Sequence, residues 1–503
     1  MAVDYLDLQA RLQPFRLAAR DLTSGRAWNY REFDEAAWRM AGALRARGVA
    51  AGDRVAVLAK NRVGLVLLNL ACARIGAIFV PLNWRLAASE LLPILRDAEP
   101  ALLLGDSLLA GAGLEGVDLD SFEAEARDCA ALPARDYDPD RTSLILYTSG
   151  TSGRPKGVML SERNLWATGQ NFAVLARVDS KSVLLCDAPM FHVIGLAGNV
   201  RPPLMHGGAI VVSDGFVPAR TLARLADEGL GITHYFCVPQ MAALLRREPG
   251  FDAAALRRLT GIFSGGAKLT PEAIRGFTGA GIPFANGYGM TEAAGTVCCM
   301  PVEIAEIDGH AGAVGLLPPE VFVRIVDDAG DDVAMGRPGE ILVRGHNVSA
   351  GYWRRAEETA AAFTADGWFR SGDIGSLDER GYLYVMDRKK DMFISGGENV
   401  YPAEVEAALA DFGGLADCAV VGVPDEKWGE VGHLFVAGDG IAEAALLGHL
   451  EKRLARYKIP KYVTVMEALP RNAAGKLVKG RLREIEGGMA PHERRGWPGQ
   501  ARP

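Results

Sequence analysis

The run YTSGTSGRPKG, residues 147–157, packs Thr148, Ser149, Thr151, Ser152, three glycines and Lys156 into eleven residues. Glycines let backbone N–H groups approach an anion, while hydroxyls add donors and a lysine adds charge. Such a run is suited to holding phosphate. The common phosphate-loop pattern, GxxxxGK[ST], is not met, because Arg154 and Pro155 separate Gly153 from Lys156. The run is therefore either a flexible Gly/Ser turn or a phosphate loop of another kind. The chain has no HExxH or paired-His motif, which argues against a zinc site.

The elements that position this chemistry are bounded by size and composition. At 503 residues the chain is too long for one core, so two or three domains are expected. Hydrophobic residues make up 49% and charged residues 23%, as in ordinary globular proteins. A net charge of −7 gives no basis for a broad nucleic-acid surface. Residues 451–503 hold 13 Lys and Arg against 5 Asp and Glu, either a solvated basic tail or a face for a polyanionic ligand. The seven cysteines (72, 129, 186, 237, 298, 299 and 418) form no CxxC and are odd in number, which predicts reduced thiols in a cytoplasmic protein. The N-terminus, MAVDYLDLQARLQPF, lacks an apolar signal core. The longest apolar run, VGLVLLNLACARIGAIFVPLN (63–83), is broken by Asn69 and Arg74 and reads as a buried helix entering a strand rather than a transmembrane segment.

Short apolar runs alternate with amphipathic ones. RVAVLAK (54–60), AIFVPLN (77–83), SVLLCDAP (182–189), GAIVVSD (208–214) and GITHYFCVP (231–239) read as buried strands. EAAWRMAGALRARG (35–48) and PARTLARLADEG (218–229) read as helices. This alternation predicts layered α/β subdomains. After about residue 320 the pattern turns to strands and Gly turns, at 320–345 and 367–391, predicting a β-rich subdomain. A helix at 402–414, a strand at 417–425 and a helix at 444–460 then predict a small α+β domain. The expected organisation is an N-terminal domain at 1–387, a hinge at 388–390 within DRKKD, a mobile C-terminal domain at 391–486 and a disordered tail at 487–503.

Six motifs occur in one order: YTSGTSGRPKG, MFHV, SGGA, GYGMTE, the set GWFRSGD, DRKKD and SGGENVYPAEVE, and PRNAAGK. Together they resemble the adenylate-forming superfamily of acyl-CoA synthetases, luciferases and peptide-synthetase adenylation domains, over nearly the whole chain. The likeness is nearest to stand-alone bacterial fatty-acyl- and aryl-CoA ligases. It implies ATP, Mg²⁺ and coenzyme A as cofactors and co-substrates, with a small carboxylic acid as the substrate. A homodimer is compatible with it.

The resemblance also implies roles for individual residues. Thr148, Ser149, Gly150, Thr151, Ser152, Gly153 and Lys156 grip the ATP phosphates, with Thr151 also near the metal. Gly265, Gly266 and Ala267 lie along adenine. Asn286 meets an adenine edge and Tyr288 stacks on the base, in a run that includes Gly287, Gly289 and Met290. Thr291 bonds the α-phosphate, and Glu292 holds Mg²⁺. Taken alone, GYG is a weak pattern and Glu292 could simply cap a helix.

Asp373 and Arg388 meet the ribose, Lys390 is the hinge residue, and Lys476 bridges the carboxylate and the α-phosphate. Gly396, Gly397 and Glu398 come to the site for the second step, with Gly397 lining a pantetheine tunnel flanked by Trp428. His192 gates the acyl pocket, which draws on 191–195, 235–238, 289–290 and 294–297. No arginine in those runs is placed to pair with a second carboxylate. The implied reaction joins a fatty or aromatic acid to CoA through acyl-AMP, releasing pyrophosphate. The alternative is a stand-alone adenylation enzyme that loads an acyl carrier protein.

Overall fold

The computed structural model describes residues 4–132, 138–148, 155–267, 269–389, 391–395, 398–425, 427–438, 440–471 and 477–488. The chain packs into two compact units. The first runs to Val323 and takes in Leu342–Arg370 and Gly381–Leu383. The second comprises Arg324–Ile341, Ser371–Arg380 and the chain from Tyr384 onward.

The first unit contains two large sheets, in keeping with the expected α/β class. The six-stranded sheet runs Val117–Asp118, Leu102–Gly105, Arg54–Leu58, Ile78–Pro81, Thr142–Thr148, Lys156–Ser161. All its pairs are parallel except the last, where Thr142–Thr148 meets Lys156–Ser161 antiparallel. The eight-stranded sheet runs Cys298–Cys299, Phe284–Tyr288, Gly261–Ser264, His234–Cys237, Val183–Cys186, Ala209–Val212, Leu17–Asp21, Ala27–Asn29. Its six inner strands pair in parallel and its two end strands antiparallel. The β-rich stretch carries the strands Val321–Val326, Gly339–Gly345, Phe369–Leu377 and Leu383–Arg388.

The apolar run at 63–83 forms a fully buried helix, Val63–Ile75, a left-handed turn at Gly76 and the strand Ile78–Pro81. No helix among the described residues is long and apolar enough to cross a membrane. The helix expected at 35–48 starts earlier, at Tyr30, because Asn29 and Glu32 form a capping box, each side chain bonding the other's backbone N–H at 2.9 and 3.0 Å.

Asn69 and Arg74, which interrupt the run, are both used. Arg74 pairs with Asp4 at 2.7 Å and with Asp34. Asn69 Oδ1 accepts from Arg201 Nη2 at 2.6 Å. Arg201 is buried and pairs with Glu162 at 2.7 Å, Tyr5 Oη accepts from its Nη1, and Glu162 in turn accepts from Ser143 Oγ at 2.8 Å. Ser143 belongs to the strand that leads into the phosphate-type run, so this charge network fixes the root of that strand.

In the second unit, Leu415–Asp425 pairs antiparallel with Gly429–Gly438, which also meets Phe393–Ser395 and Tyr462–Met466. Alternate residues serve two cores. Val420 and Leu434 pack with Leu446 and Leu450, while Val421 and Phe435 pack with Leu469 and Leu482. The helix expected at 444–460 is shorter, Glu443–Glu451. The Leu450 carbonyl accepts from both Arg453 and Leu454 N–H, which tightens the last turn, and Ala455 is extended.

Removing one partner of a buried ion pair leaves the other charge unpaired and costs about 3–5 kcal/mol. Arg201→Ala is expected to lower stability by that amount, read from the denaturant midpoint of the first unit's transition. A surface control, Arg163→Ala, which breaks an exposed pair with Asp140, should shift it by under ~1 kcal/mol.

Candidate active site

The carboxyl ends of parallel strands are where an open α/β sheet binds ligands. In the eight-stranded sheet those ends carry most of the residues that the sequence singled out in the first unit. Phe263 and Ser264 pair in register with Ala285 and Asn286. Gly265, Gly266 and Ala267 follow the first strand, and Gly287 and Tyr288 close the second. A methyl group on Gly265 would lie 2.9 Å from the Gly287 carbonyl oxygen, so the two strand ends meet in a contact only glycine permits. Asn286 is 3% exposed. Its Nδ2 donates to the Ala313 carbonyl at 3.0 Å and its Oδ1 accepts from Gly287 N–H at 3.0 Å. One amide hydrogen and one lone pair have no partner among the described residues. Tyr288 is half-buried.

The chain then turns sharply. A Cβ on Gly289 would sit 1.4 Å from the Gly295 carbonyl oxygen, which excludes any side chain there. Gly295 N–H donates to the Met290 carbonyl at 3.0 Å, closing the loop around the short 3₁₀ turn Thr291–Ala293. Buried Asn347 donates to the Thr296 carbonyl at 3.0 Å, and Thr168 Oγ1 accepts from Thr296 N–H at 3.0 Å. The loop is thus held from both sides, with Thr291 and Glu292 half-exposed.

Glu292 has one engaged oxygen. Oε1 accepts from Tyr352 Oη at 3.0 Å. Burial and the Glu292 charge push the Tyr352 phenol up, so it stays a donor. Oε2 faces no bonded donor among the described residues. A half-exposed carboxylate with one spare oxygen fits Mg²⁺, which binds through one or two carboxylates plus phosphates and waters. No cluster of three or more His, Cys, Asp or Glu able to form an all-protein metal cage occurs among the described residues.

In the six-stranded sheet, Thr148 and Lys156 are paired opposite each other, and Thr148 Oγ1 lies 3.4 Å from the Lys156 carbonyl. The antiparallel pair therefore brings both ends of the phosphate-type run together. Lys156 Nζ lies 5.1 Å from the Tyr352 ring centroid. Ser149, Gly150, Thr151, Ser152 and Gly153 lie outside the described residues, as do Lys390, Gly396, Gly397 and Lys476.

His192 sits beside Phe191, ring centroids 4.6 Å apart. Phe191 meets Trp84 edge-to-face at 6.2 Å, and Arg85 lies 6.0 Å from the Phe191 ring. Burial, and then the Arg85 charge, lower the His192 imidazole to about 4, so it is neutral at physiological pH. The chain past His192 is the π-helical turn Ile194–Gly198, a feature frequent at functional sites. A methyl on Gly266 would lie 3.8 Å from Ile194 Cδ1 and 3.9 Å from Val238 Cγ1. Phe236 and Val238 are half-exposed, whereas Tyr235 and Cys237 of the expected pocket are wholly buried. Period-two alternation along the strand explains the split.

In the second unit Arg388 Nε pairs with Asp373 Oδ1 at 2.7 Å, so the structure brings the two expected ribose residues together. Asp373 is 5% exposed and its N–H donates to Ser371 Oγ at 3.0 Å. Lys389 N–H donates to the Gly372 carbonyl at 2.8 Å, closing the pair from behind. Glu398 is exposed on the strand Glu398–Val400. Trp428 is 36% exposed on the turn before Gly429–Gly438, its N–H donating to Asp425 Oδ1 at 2.9 Å. Tyr352, Trp84 and Arg85 were not legible beforehand; no spacing or periodicity marks them, and only tertiary contact reveals them.

This geometry agrees with comparisons to known proteins. The family profile described as AMP-binding enzyme matches residues 6–353, and that of the AMP-binding enzyme C-terminal domain matches 404–476. The chain belongs to this family of adenylate-forming enzymes, and within it is an acyl-CoA synthetase of the AMP-forming kind. It is 39% identical to a feruloyl-CoA synthase of Amycolatopsis sp, over 94% of this chain and 97% of that one. It is 37% identical to an indoleacetate–CoA ligase of Aromatoleum aromaticum, over 96% and 97%. ATP-bound MatB from Rhodopseudomonas palustris superposes with a TM-score of 0.87 at 33% identity, covering 96% of this chain and 99% of that one. Enzymes of this class use ATP, Mg²⁺ and CoA. These matches do not support the carrier-protein alternative.

The lowered His192 value has a defined sign. The unfolded imidazole titrates near 6.5 and the folded one near 4, so the unfolded chain binds the extra proton between them. The His192 contribution to stability is full above pH 6.5 and is lost as pH falls toward 4. The expected NMR titration midpoint for His192 is about 4. His192→Phe should flatten the pH–stability curve in that interval; a midpoint near 6.5 would contradict the burial argument.

Proposed function

We propose that this enzyme activates an aromatic carboxylic acid, of the arylalkanoate or cinnamate type, and transfers it to CoA. The observation that carries this reading is the wall beside His192. Trp84 and Phe191 meet edge-to-face, and Ile194 and Val238 converge over Gly266, where no side chain fills the space. A flat ring suits such a slot, and the neutral imidazole adds no charge to it. The named substrates of the two relatives at 39% and 37% identity, ferulate and indoleacetate, support it.

The chemistry follows in two steps. A carboxylate is a poor acyl donor because its leaving group is poor. In the first step a carboxylate oxygen attacks the α-phosphorus of ATP, and the bond to pyrophosphate breaks. We assign the phosphates to the 148–153 run and Lys156, the α-phosphate to Thr291 and Lys476, and the metal to Glu292 and Thr151. Mg²⁺, when bound, neutralises phosphate charge. Gly265, Gly266, Ala267 and the run Asn286–Met290 border adenine, and Asp373 with Arg388 takes the ribose.

In the second step the CoA sulfur attacks the acyl carbon, AMP leaves with the C–O electron pair, and the thiol proton passes to solvent. For this step we assign a hinge at 388–390 centred on Lys390. We place Gly396, Gly397, Glu398 and Trp428 along the pantetheine path. Seven cysteines without disulfides suit a reducing compartment, and we place the enzyme in the cytoplasm.

The test is AMP release from Mg·ATP with a panel of acids, each with and without CoA. The panel runs from acetate to palmitate and adds benzoate, cinnamate, ferulate, indoleacetate and malonate. CoA-dependent AMP release is expected to be highest with an aryl acid. A maximum with palmitate would replace the ring reading by a chain reading, and pyrophosphate release indifferent to CoA would point to a carrier protein. Two variants separate the steps. Lys476→Ala should lower adenylate formation by about 10²–10³-fold while sparing thiol attack on supplied acyl-adenylate. Gly397→Leu should do the reverse. Equal loss of both half-reactions in either variant would contradict its role.

A further inference from the structure

The segment Ser349–Trp353 is tied to both ends of the candidate ATP site in the first unit. Ser349 N–H donates to the Glu292 carbonyl at 2.7 Å, and Tyr352 Oη donates to Glu292 Oε1 at 3.0 Å. The same segment bridges to the edge strand Lys156–Ser161 of the six-stranded sheet. Met159 N–H donates to the Gly351 carbonyl at 3.0 Å, Trp353 N–H donates to the Gly157 carbonyl at 2.7 Å, and Val158 and Tyr352 form an antiparallel bridge. Trp353 Nε1 donates to the Asp97 carbonyl at 3.2 Å, fixing the far end.

We infer that Tyr352 is a positioning residue for the metal carboxylate, holding Glu292 Oε1 so that Oε2 is presented to the divalent cation of Mg·ATP. The inference rests on the assignment of Glu292 as the metal residue. Glu292 stands on a single 3₁₀ turn, and a glutamate there has three rotatable side-chain bonds. A phenol at 3.0 Å restrains that freedom and engages Oε1, leaving Oε2 for another partner. The ring of Tyr352 is also the surface against which Lys156 rests, Nζ 5.1 Å from its centroid. One side chain therefore meets both the lysine of the phosphate run and the carboxylate assigned to the metal. The Tyr352 N–H donates to Thr359 Oγ1 at 3.0 Å, and its neighbours Gly351 and Trp353 bond Met159 and Gly157, so the phenol is anchored by more than the loop that carries Glu292.

The experiment is calorimetric ATP binding to the full-length protein across a Mg²⁺ series, with Mg²⁺-free AMP binding and the melting temperature measured in parallel. Wild type, Tyr352→Phe and Glu292→Gln are compared. Tyr352→Phe removes one oxygen and keeps the ring on Lys156, so the fold is retained. The Mg²⁺ concentration that half-maximally tightens ATP binding is expected to rise about ten-fold in Tyr352→Phe, as for loss of a partner to a metal ligand. AMP binding and melting temperature should match wild type. Glu292→Gln should abolish the Mg²⁺ effect. A wild-type Mg²⁺ response in Tyr352→Phe, with Glu292→Gln deficient, would overturn the positioning role and leave the metal assignment standing. A wild-type response in Glu292→Gln would overturn both. Equal weakening of AMP and Mg·ATP binding in Tyr352→Phe would make the tyrosine merely structural and overturn the inference.

Discussion

The chemistry of the first unit depends on the parallel register between Gly261–Ser264 and Phe284–Tyr288. Ser264 lies opposite Asn286, so both strands end at one level and their following loops leave side by side. The contact is closer than a side chain allows, since a Cβ on Gly265 would lie 2.9 Å from the Gly287 carbonyl oxygen. A slip of one residue would turn every side chain of one strand to the other face. It would also carry Thr291 and Glu292 away from the level of Gly266. The rest of the site is arranged around this register: the loop from Gly289 to Gly295 is folded back on it, and Thr168 and Asn347 hold that loop from outside.

Polar groups buried away from the site serve the same end. Arg201 and Glu162 are costly to bury, and well-packed apolar residues often replace such pairs without loss. Their use here has a geometric reading. Arg201 bonds Tyr5, Asn69 and Glu162, and Glu162 bonds Ser143 at the base of the strand Thr142–Thr148. Apolar contacts would tolerate small slides between these elements, whereas directional bonds to a planar guanidinium do not. The strand that ends at Thr148 is therefore fixed at its root as well as by its pairing with Lys156–Ser161.

Much of this was legible in the sequence, for reasons that are local. A position where a Cβ would crowd a carbonyl oxygen is written in the sequence as glycine, as at Gly265 and Gly289. The hydroxyls, glycines and lysine of the 148–156 run, to which we assign the phosphates, are likewise adjacent in the sequence. The α/β class followed from the alternation of buried strands with amphipathic helices, and the fully buried Val63–Ile75 helix from its long apolar run, which Asn69 and Arg74 interrupt without exposing. What escaped depends on contacts between distant parts of the chain. Tyr352 meets Glu292 from sixty residues away, with no local pattern to mark it. Arg85 is an ordinary surface arginine in the sequence, yet its charge bears on His192. The run 235–238 was expected in the pocket by position, and strand alternation divides it, burying Tyr235 and Cys237 and leaving Phe236 and Val238 half-exposed. The early start of the Tyr30–Ala46 helix has a local cause instead, the Asn29–Glu32 capping box ahead of the amphipathic stretch.

The Tyr352 contact shows how a site is made from parts that no single motif contains. Glu292 lies on a loop of the eight-stranded sheet and Lys156 on a strand of the six-stranded sheet. No hydrogen bond between these two residues sets their distance. That distance is set by the Ser349–Trp353 segment, which takes its own position from pairing with Gly157–Met159 and returns two bonds to Glu292, one to its carbonyl and one to its carboxylate. Strand pairing is stiff and the glutamate side chain is not, so order passes from the former to the latter. Phosphate and metal must be held at a fixed spacing for charge to be neutralised as the α-phosphorus is attacked. A loop carboxylate alone would sample several rotamers, and each misplaced one would weaken that interaction. Adding a third segment to the edge of the sheet solves the problem with a single phenol.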